Sequence, residues 1–191
     1  MDSASQYALA YALTTTAGVR GVLALAAASI AAHVGFLHPP LSLSWLGSAT
    51  AMWSLIGVAA IDIAADKVPF LDHAMHIIGV TVKPAAGAIL VAGTLHPPSQ
   101  QMLIALMTLG ALNTLGIHAA IALARGASTV STGGIANPAI SLGEDGVSIC
   151  ALILAFVAPV VAAFGAICFT IAIFLIGRFV YNHRPARVRN Q

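Results

Sequence analysis

Charge is what this chain has least of. Aspartate, glutamate, lysine and arginine together supply 7% of 191 residues, against 59% hydrophobic residues and a mean hydropathy of +0.95. A soluble domain carries roughly a quarter of its residues charged, so that class is excluded. The few basic residues and the lack of any recognised module exclude nucleic-acid binding. Cysteine is scarce as well. Cys150 and Cys168 lie in apolar segments without a partnering motif, so they read as small hydrophobes and exclude a disulfide framework. No G-x-S-x-G nucleophile motif occurs. The N-terminus lacks the basic region of a cleavable signal, and the first helix is expected to be retained. Short alternating segments are missing too, which disfavours a transmembrane barrel.

What is present is long apolar stretches, past the ~20 residues that cross a bilayer. The expected fold is all-α: a polytopic transmembrane bundle of about six helices over 1–182, followed by a basic cytoplasmic tail at 183–191. The first span runs from Tyr7 to Leu37. At about 1.5 Å per residue it is too long for one upright crossing, so it tilts, starts outside the membrane, or breaks near Thr14–Gly18. Further spans cover Trp45–Asp66, Asp72–Leu95 with a kink at Pro84, and Gln101–Arg125. A fifth begins with Asn137 as N-cap and Pro138 at the first helical position and ends near Pro159; the sixth runs from Val160 to Tyr181.

An internal echo accompanies these spans. Leu37-His38-Pro39-Pro40 recurs as Leu95-His96-Pro97-Pro98 at an offset of 58, and at that offset Gly21 matches Gly79 and Lys67 matches Arg125. Helices one and two thus read as a candidate tandem copy of helices three and four. The LHPP turns carry no lysine or arginine, whereas Lys67, Arg125 and the cluster Arg178, Arg184, Arg187 and Arg189 mark the other side. The positive-inside rule then places both termini in the cytoplasm. In the first helix, Ala17, Gly21, Ala24, Ala28, Ala31 and Gly35 share one face, the small-residue face of a central helix.

The few charges are the candidate site. Counting from the LHPP turns, Lys83 lies 13 residues before His96, and Arg20 lies 18 before His38. These are depths of roughly 20 and 27 Å along a helix, in the inner half of the hydrocarbon core. His118 reaches a similar level. Asp62, Asp66 and Lys67 close the second span at that end, and Glu144 and Asp145 lie about two turns into the fifth from the same end. Asp62 and Asp66 share a face, where two carboxylates repel. Asn137, Ser141, Glu144 and Ser148 form a polar stripe, as do Thr114, His118 and Arg125. These stripes are expected to line a hydrated cavity. An ionisable residue inside a span is by default a functional hypothesis, because its burial is costly unless it is paired. The structural alternative is that Arg20 and Lys83 merely neutralise the carboxylates and fix helix register. Asp72, His73 and His76, a D-H-x-x-H string, are candidate ligands for zinc or iron.

The strings D-K-x-P-x-x-D-H (Asp66 to His73) and N-x-x-x-S-x-x-E-D (Asn137 to Asp145), with Gly18-Val19-Arg20 and Lys83-Pro84, carry a resemblance. Over nearly its whole length the chain resembles an uncharacterised family of small bacterial integral membrane proteins, known as a domain of unknown function. Asp62 stands where the resemblance leads one to expect a glutamate. The resemblance implies a polytopic membrane protein with acidic motifs and supplies no activity.

Three functions fit these residues. The leading one is a small membrane transporter or exchanger of an ion or small solute, its passenger held by Arg20, Asp62, Asp66, Lys67, Lys83, His118, Asn137, Ser141, Glu144 and Asp145. A non-catalytic assembly or structural subunit is the alternative. A membrane enzyme acting on lipid head groups comes third. The partners expected are the lipid bilayer, the passenger and a second copy of the chain; no cofactor is called for.

Overall fold

The computed structural model describes residues 1–67 and 69–182; for 69–76, 177 and 179–182 it describes the backbone course alone. Among the described residues the chain is helical throughout. Its elements are α1 (Ser3–Val19), α2 (Gly21–His33), a 3₁₀ segment (Leu41–Gly47), α3 (Ala49–Ala65), α4 (Pro69–Thr94), α5 (Gln100–Thr132), α6 (Asn137–Val157) and α7 (Pro159–Asn182). The basic tail at 183–191 lies outside the described residues.

Local chemistry sets most of the boundaries. Ser48 and Ser99 each follow a turn and accept a backbone N–H three residues on, from Ala51 and Met102, capping α3 and α5. Pro159 cannot donate to α6, so α6 stops at Val157 and α7 starts on the proline. Both LHPP leucines, Leu37 and Leu95, are buried. His38 and His96 beside them are exposed.

The core is largely apolar, as in a soluble protein, but the outside is apolar too. Exposed large hydrophobics cover the outer faces, among them Trp53, Ile61, Leu109, Ile153, Phe164 and Phe174. The buried positions include Arg20, His118, Arg125 and Asp145. A bundle greasy outside and charged inside is the pattern of a membrane protein. Among the described residues four helices are long and apolar enough to cross a membrane: α4 over Ile77–Thr94, α5, α6, and α7 over Pro159–Ile176. The 3₁₀ segment and α3, bent by 63° to one another, make a fifth if taken as one span. The chain is therefore a multi-pass helical bundle.

The first expected span arrives in two pieces. It breaks at Arg20, whose backbone (φ −130, ψ 84) leaves the helical region, and not within Thr14–Gly18. On its other side α2 resumes at once, with Ala24 N–H donating to the Arg20 carbonyl. The two copies of the sequence echo thus differ in shape, because α4 runs unbroken through the positions that correspond to the break. Pro84 is accommodated inside α4.

The expected central helix is central. From Leu9 to Arg20 every residue but Tyr11 is buried, and α1 touches α2, α4, α5, α6 and α7. Of its small-residue face, Ala17, Gly21, Ala24, Ala28 and Ala31 are buried. Gly35 is not; it is exposed and takes φ +79 in the turn after α2, so its role is conformational. Hydrogen bonds tie α1 to α5. Asn113 Nδ2 donates to Thr14 Oγ1 and Thr15 Oγ1 at 3.0 Å each, and Thr114 Oγ1 donates to the Thr14 carbonyl at 3.0 Å. Such interhelical bonds contribute on the order of 0.6–2 kcal/mol each in a membrane.

Helices α4 and α5 cross with their backbones in close approach at Gly87 and Gly110. A Cβ on Gly87 would overlap Thr114 Oγ1 and lie 2.8 Å from the Gly110 carbonyl oxygen. Helix α5 then runs past the expected end at Arg125 to Thr132 and closes on Gly133 in the left-handed region. Helix α6 begins one residue earlier than expected, with Ala136 and not Asn137 at the N-cap position.

Candidate functional site

The break at Arg20 builds the site. In a continuous helix the Gly18 and Val19 carbonyls would accept from residues four further on. Here Lys83, reaching across from α4, donates its ammonium to Val19 O at 2.9 Å and Gly18 O at 3.4 Å. A cation is favoured at a helix C-terminus, where unsatisfied carbonyls concentrate partial negative charge. The same ammonium lies 3.0 Å from His118 Nδ1 on α5. As a donor it requires that nitrogen to be unprotonated, which puts the imidazole proton on Nε2. Gly21 lets α4 come this close: a Cβ there would lie 3.0 Å from Lys83 Cγ.

The break also turns the Arg20 side chain into the bundle, where it is 2% exposed. Its guanidinium donates to Asp66 Oδ2, at the end of α3, and to Ser141 Oγ on α6 at 3.0 Å. It also lies 2.7 Å from Asp145 Oδ1 and 3.9 Å from Glu144 Oε2. Arg125 on α5, 5% exposed, takes Glu144 with two of its nitrogens, Nε to Oε1 at 3.0 Å and Nη2 to Oε2. Its Nη2 is also 3.3 Å from Asp66 Oδ2. Lys67 closes the outer edge, 2.9 Å from Asp145 Oδ2, and lends a second bond to the Ile63 carbonyl at 3.0 Å.

Charges therefore alternate. Lys67, Asp145, Arg20, Asp66, Arg125 and Glu144 follow one another, and the approach of Arg20 to Glu144 closes the last four into a ring. Among the described residues four basic side chains (Arg20, Lys67, Lys83, Arg125) meet four acidic ones (Asp62, Asp66, Glu144, Asp145), a balance of formal charge. Balance matters because a net charge buried in low dielectric is expensive, while an alternating ring with bidentate geometry offsets much of the desolvation. The repulsion expected between Asp62 and Asp66 is resolved this way: both arginines take Asp66, and Asp62 is left to face a cavity.

That cavity is small, about 20 Å³, lined by Arg20, Asp62, Asp66, Lys83, Ile121, Arg125 and Glu144. It has room for about one water molecule. The hydrated chamber expected from the polar stripes is thus replaced by a packed layer, because the guanidinium groups fill the space between carboxylates. A larger groove of about 460 Å³ lies between α1, α6 and α7, with Ala12, Gly146, Ala151, Ala162 and Gly165 in its walls. Among the described residues no Asp, Glu, Lys, Arg or His lines it.

Most residues expected in the site are brought together. Arg20, Asp66, Lys67, Ser141, Glu144 and Asp145 are in direct contact, Asp62 lines the cavity, and Lys83 with His118 forms the adjoining pair. Asn137 is held elsewhere, its Nδ2 donating to Thr129 Oγ1 at 2.9 Å across the α5–α6 turn. Ser148, on the same buried stripe as Ser141 and Asp145, lines the apolar groove. Arg125 is the residue that the candidate set omitted. The sequence reads it as a topology mark and also as part of the inward polar stripe of Thr114 and His118, seven residues after His118 on the same face. For the metal candidates Asp72, His73 and His76 the backbone belongs to α4, and their side chains lie outside the described residues. Among the described residues no three histidine, cysteine or acidic groups converge as a metal centre.

Fold and site together define a class: a multi-pass helical membrane bundle with a charge-balanced ion-pair layer built around one broken helix. The chain belongs to the DUF4126 family, a domain of unknown function, whose model matches residues 7–178 and so includes every member of the layer. No curated protein and no solved structure matches it.

Proposed function

We propose that the protein is a small membrane transporter or exchanger that moves an ion or a small solute through the layer around Arg20. The observation that carries this reading is the junction of a helix break with a ring of opposite charges contributed by α3, α5 and α6. Discontinuous helices with ionisable groups at the break are how transporters free backbone groups to line a site. The partners in this reading are the bilayer and the passenger, with a second copy of the chain as a candidate neighbour. The membrane is the bacterial inner membrane and both termini are cytoplasmic, supported by the clustering of Lys67 and Arg125 away from the LHPP turns.

The test is flux. Purified protein in proteoliposomes is expected to move a proton, a metal cation or a small anion down an imposed gradient, and a folded Asp66→Asn variant is expected to lose it. Wild-type rates in a folded Asp66→Asn protein would remove the layer from the function.

One observation favours a second reading, a non-catalytic assembly subunit: the ring is closed on itself, with Asp66, Glu144 and Asp145 all paired internally. A stoichiometric partner that co-purifies, with no flux from the isolated protein, would select it.

A further inference from the structure

Of the four carboxylates in the layer, three are engaged. Asp66 is shared by two arginines, Glu144 is gripped by Arg125, and Asp145 lies between Arg20 and Lys67. Asp62 alone receives no hydrogen bond and no ion pair from the described residues, yet it lines the polar cavity. Protonating any of the other three breaks a buried ion pair. Protonating Asp62 breaks none.

Arg20 lines the same cavity, and its buried Nε has no acceptor among the described residues. One water, which is what about 20 Å³ admits, can donate to the Asp62 carboxylate or exchange a proton with it. The surroundings of Asp62 are mixed in sign: Arg20 from the break, Lys83 from α4, Arg125 and beyond it His118 from α5, Glu144 and Asp145 from α6, and Asp66 on its own helix. The Lys83 ammonium is already engaged, by the Gly18 and Val19 carbonyls and His118. A metal passenger fits poorly. Calcium wants six to eight oxygen ligands and magnesium a near-ideal octahedron, whereas guanidinium groups here separate the carboxylates.

From this geometry we infer that Asp62 is a proton-binding site and that the proton is the ion the protein carries. The proton arrives from water, forms an O–H bond on an Asp62 carboxylate oxygen, and leaves to water again, with the paired carboxylates and guanidiniums unchanged throughout. The second half of this inference rests on the transporter reading; the first half does not.

Two measurements on the full chain separate the halves. In difference infrared spectra across an acid step, the wild-type protein is expected to show the C=O stretch of a protonated carboxyl. That band should disappear in Asp62→Asn and shift in Asp62→Glu, with melting temperatures of all three proteins close together because Asp62 holds no pair. In proteoliposomes with a trapped pH dye and a clamped membrane potential, Asp62→Asn should lose proton flux at least tenfold and Asp62→Glu should retain it. A band that persists in Asp62→Asn overturns the proton site. Undiminished proton flux in Asp62→Asn overturns Asp62 as carrier and leaves the transporter reading intact. If the band belongs to Asp62 but the wild type moves neither protons nor any other solute, the site stands and the transporter reading falls.

Discussion

Arg20 and Arg125 converge on one oxygen. Both guanidinium groups address Asp66 Oδ2, one from the break between α1 and α2, the other from α5 at 3.3 Å. A single carboxylate at the end of α3 thereby holds two like charges side by side. That arrangement makes the layer cooperative: each member is stable only while its neighbours remain ionised and in place.

The first prediction concerns that cooperativity. Arg125→Met removes the partner of Glu144 and one of the two partners of Asp66. It should destabilise the protein by about 3–5 kcal/mol, the range for breaking a buried pair from one side. Adding Glu144→Met should recover much of the loss, since an apolar pair replaces an ionic one. Unfolding in detergent, read by circular dichroism for both singles and the double, checks it; strictly additive losses would show that the two side chains act independently.

Lys83 and Lys67 should behave differently although both are lysines in the layer. Lys83→Met strands the carbonyls at the end of α1 and should cost about 1.5–3 kcal/mol, the range for hydrogen bonds to a charged group. Lys67 is 37% exposed at its side chain, and Asp145 keeps Arg20 as a partner when Lys67 is lost. Lys67→Ala should therefore cost below about 1 kcal/mol. Melting temperatures of the two variants in the same detergent decide the order.

The glycine crossing gives a third. Gly87→Ala would put a methyl group into Thr114 and the Gly110 carbonyl and should destabilise by about 1–3 kcal/mol through overpacking. At Gly116, on the same α5 helix, a Cβ meets nothing within 4 Å. Gly116→Ala should be neutral or stabilising, by up to about 1 kcal/mol from helix propensity. A melting temperature for Gly87→Ala equal to that of Gly116→Ala would contradict the close approach.

Much of this was legible in the sequence because a membrane leaves so few places for charge. Hydropathy located the spans, and the depth counts put Arg20 at the level of the carboxylates it now contacts and Lys83 at the level of His118, which it now meets. The position of the break was not legible. Gly18 and Gly21 flank Arg20, yet they do not single out that residue; the break is stabilised by what the side chain meets elsewhere, Asp66, Asp145 and Ser141, and those contacts are tertiary. Arg125 was legible in part: its stripe with Thr114 and His118 aims it inward, while its place near an expected span end also satisfies the topology rule, and the continuation of α5 to Thr132 sets it about two turns from the helix end. That continuation was itself obscured by Ser128, Thr129, Val130, Ser131 and Thr132, residue types that favour turns or strands when no neighbour decides. Asn137 looked like a cap and is instead a clasp between α5 and α6.

The contact between α4 and α5 has a mechanical corollary. With no side chain between them at Gly87 and Gly110, the two helices mesh like cogs, and α1 is pinned to α5 by the Thr14, Thr15 and Asn113 bonds. Packed elements of this kind shift by discrete steps or not at all. This trio is held as one piece, and Gly133 and Gly134, both in the left-handed region, end α5 and lead the chain away from it into α6.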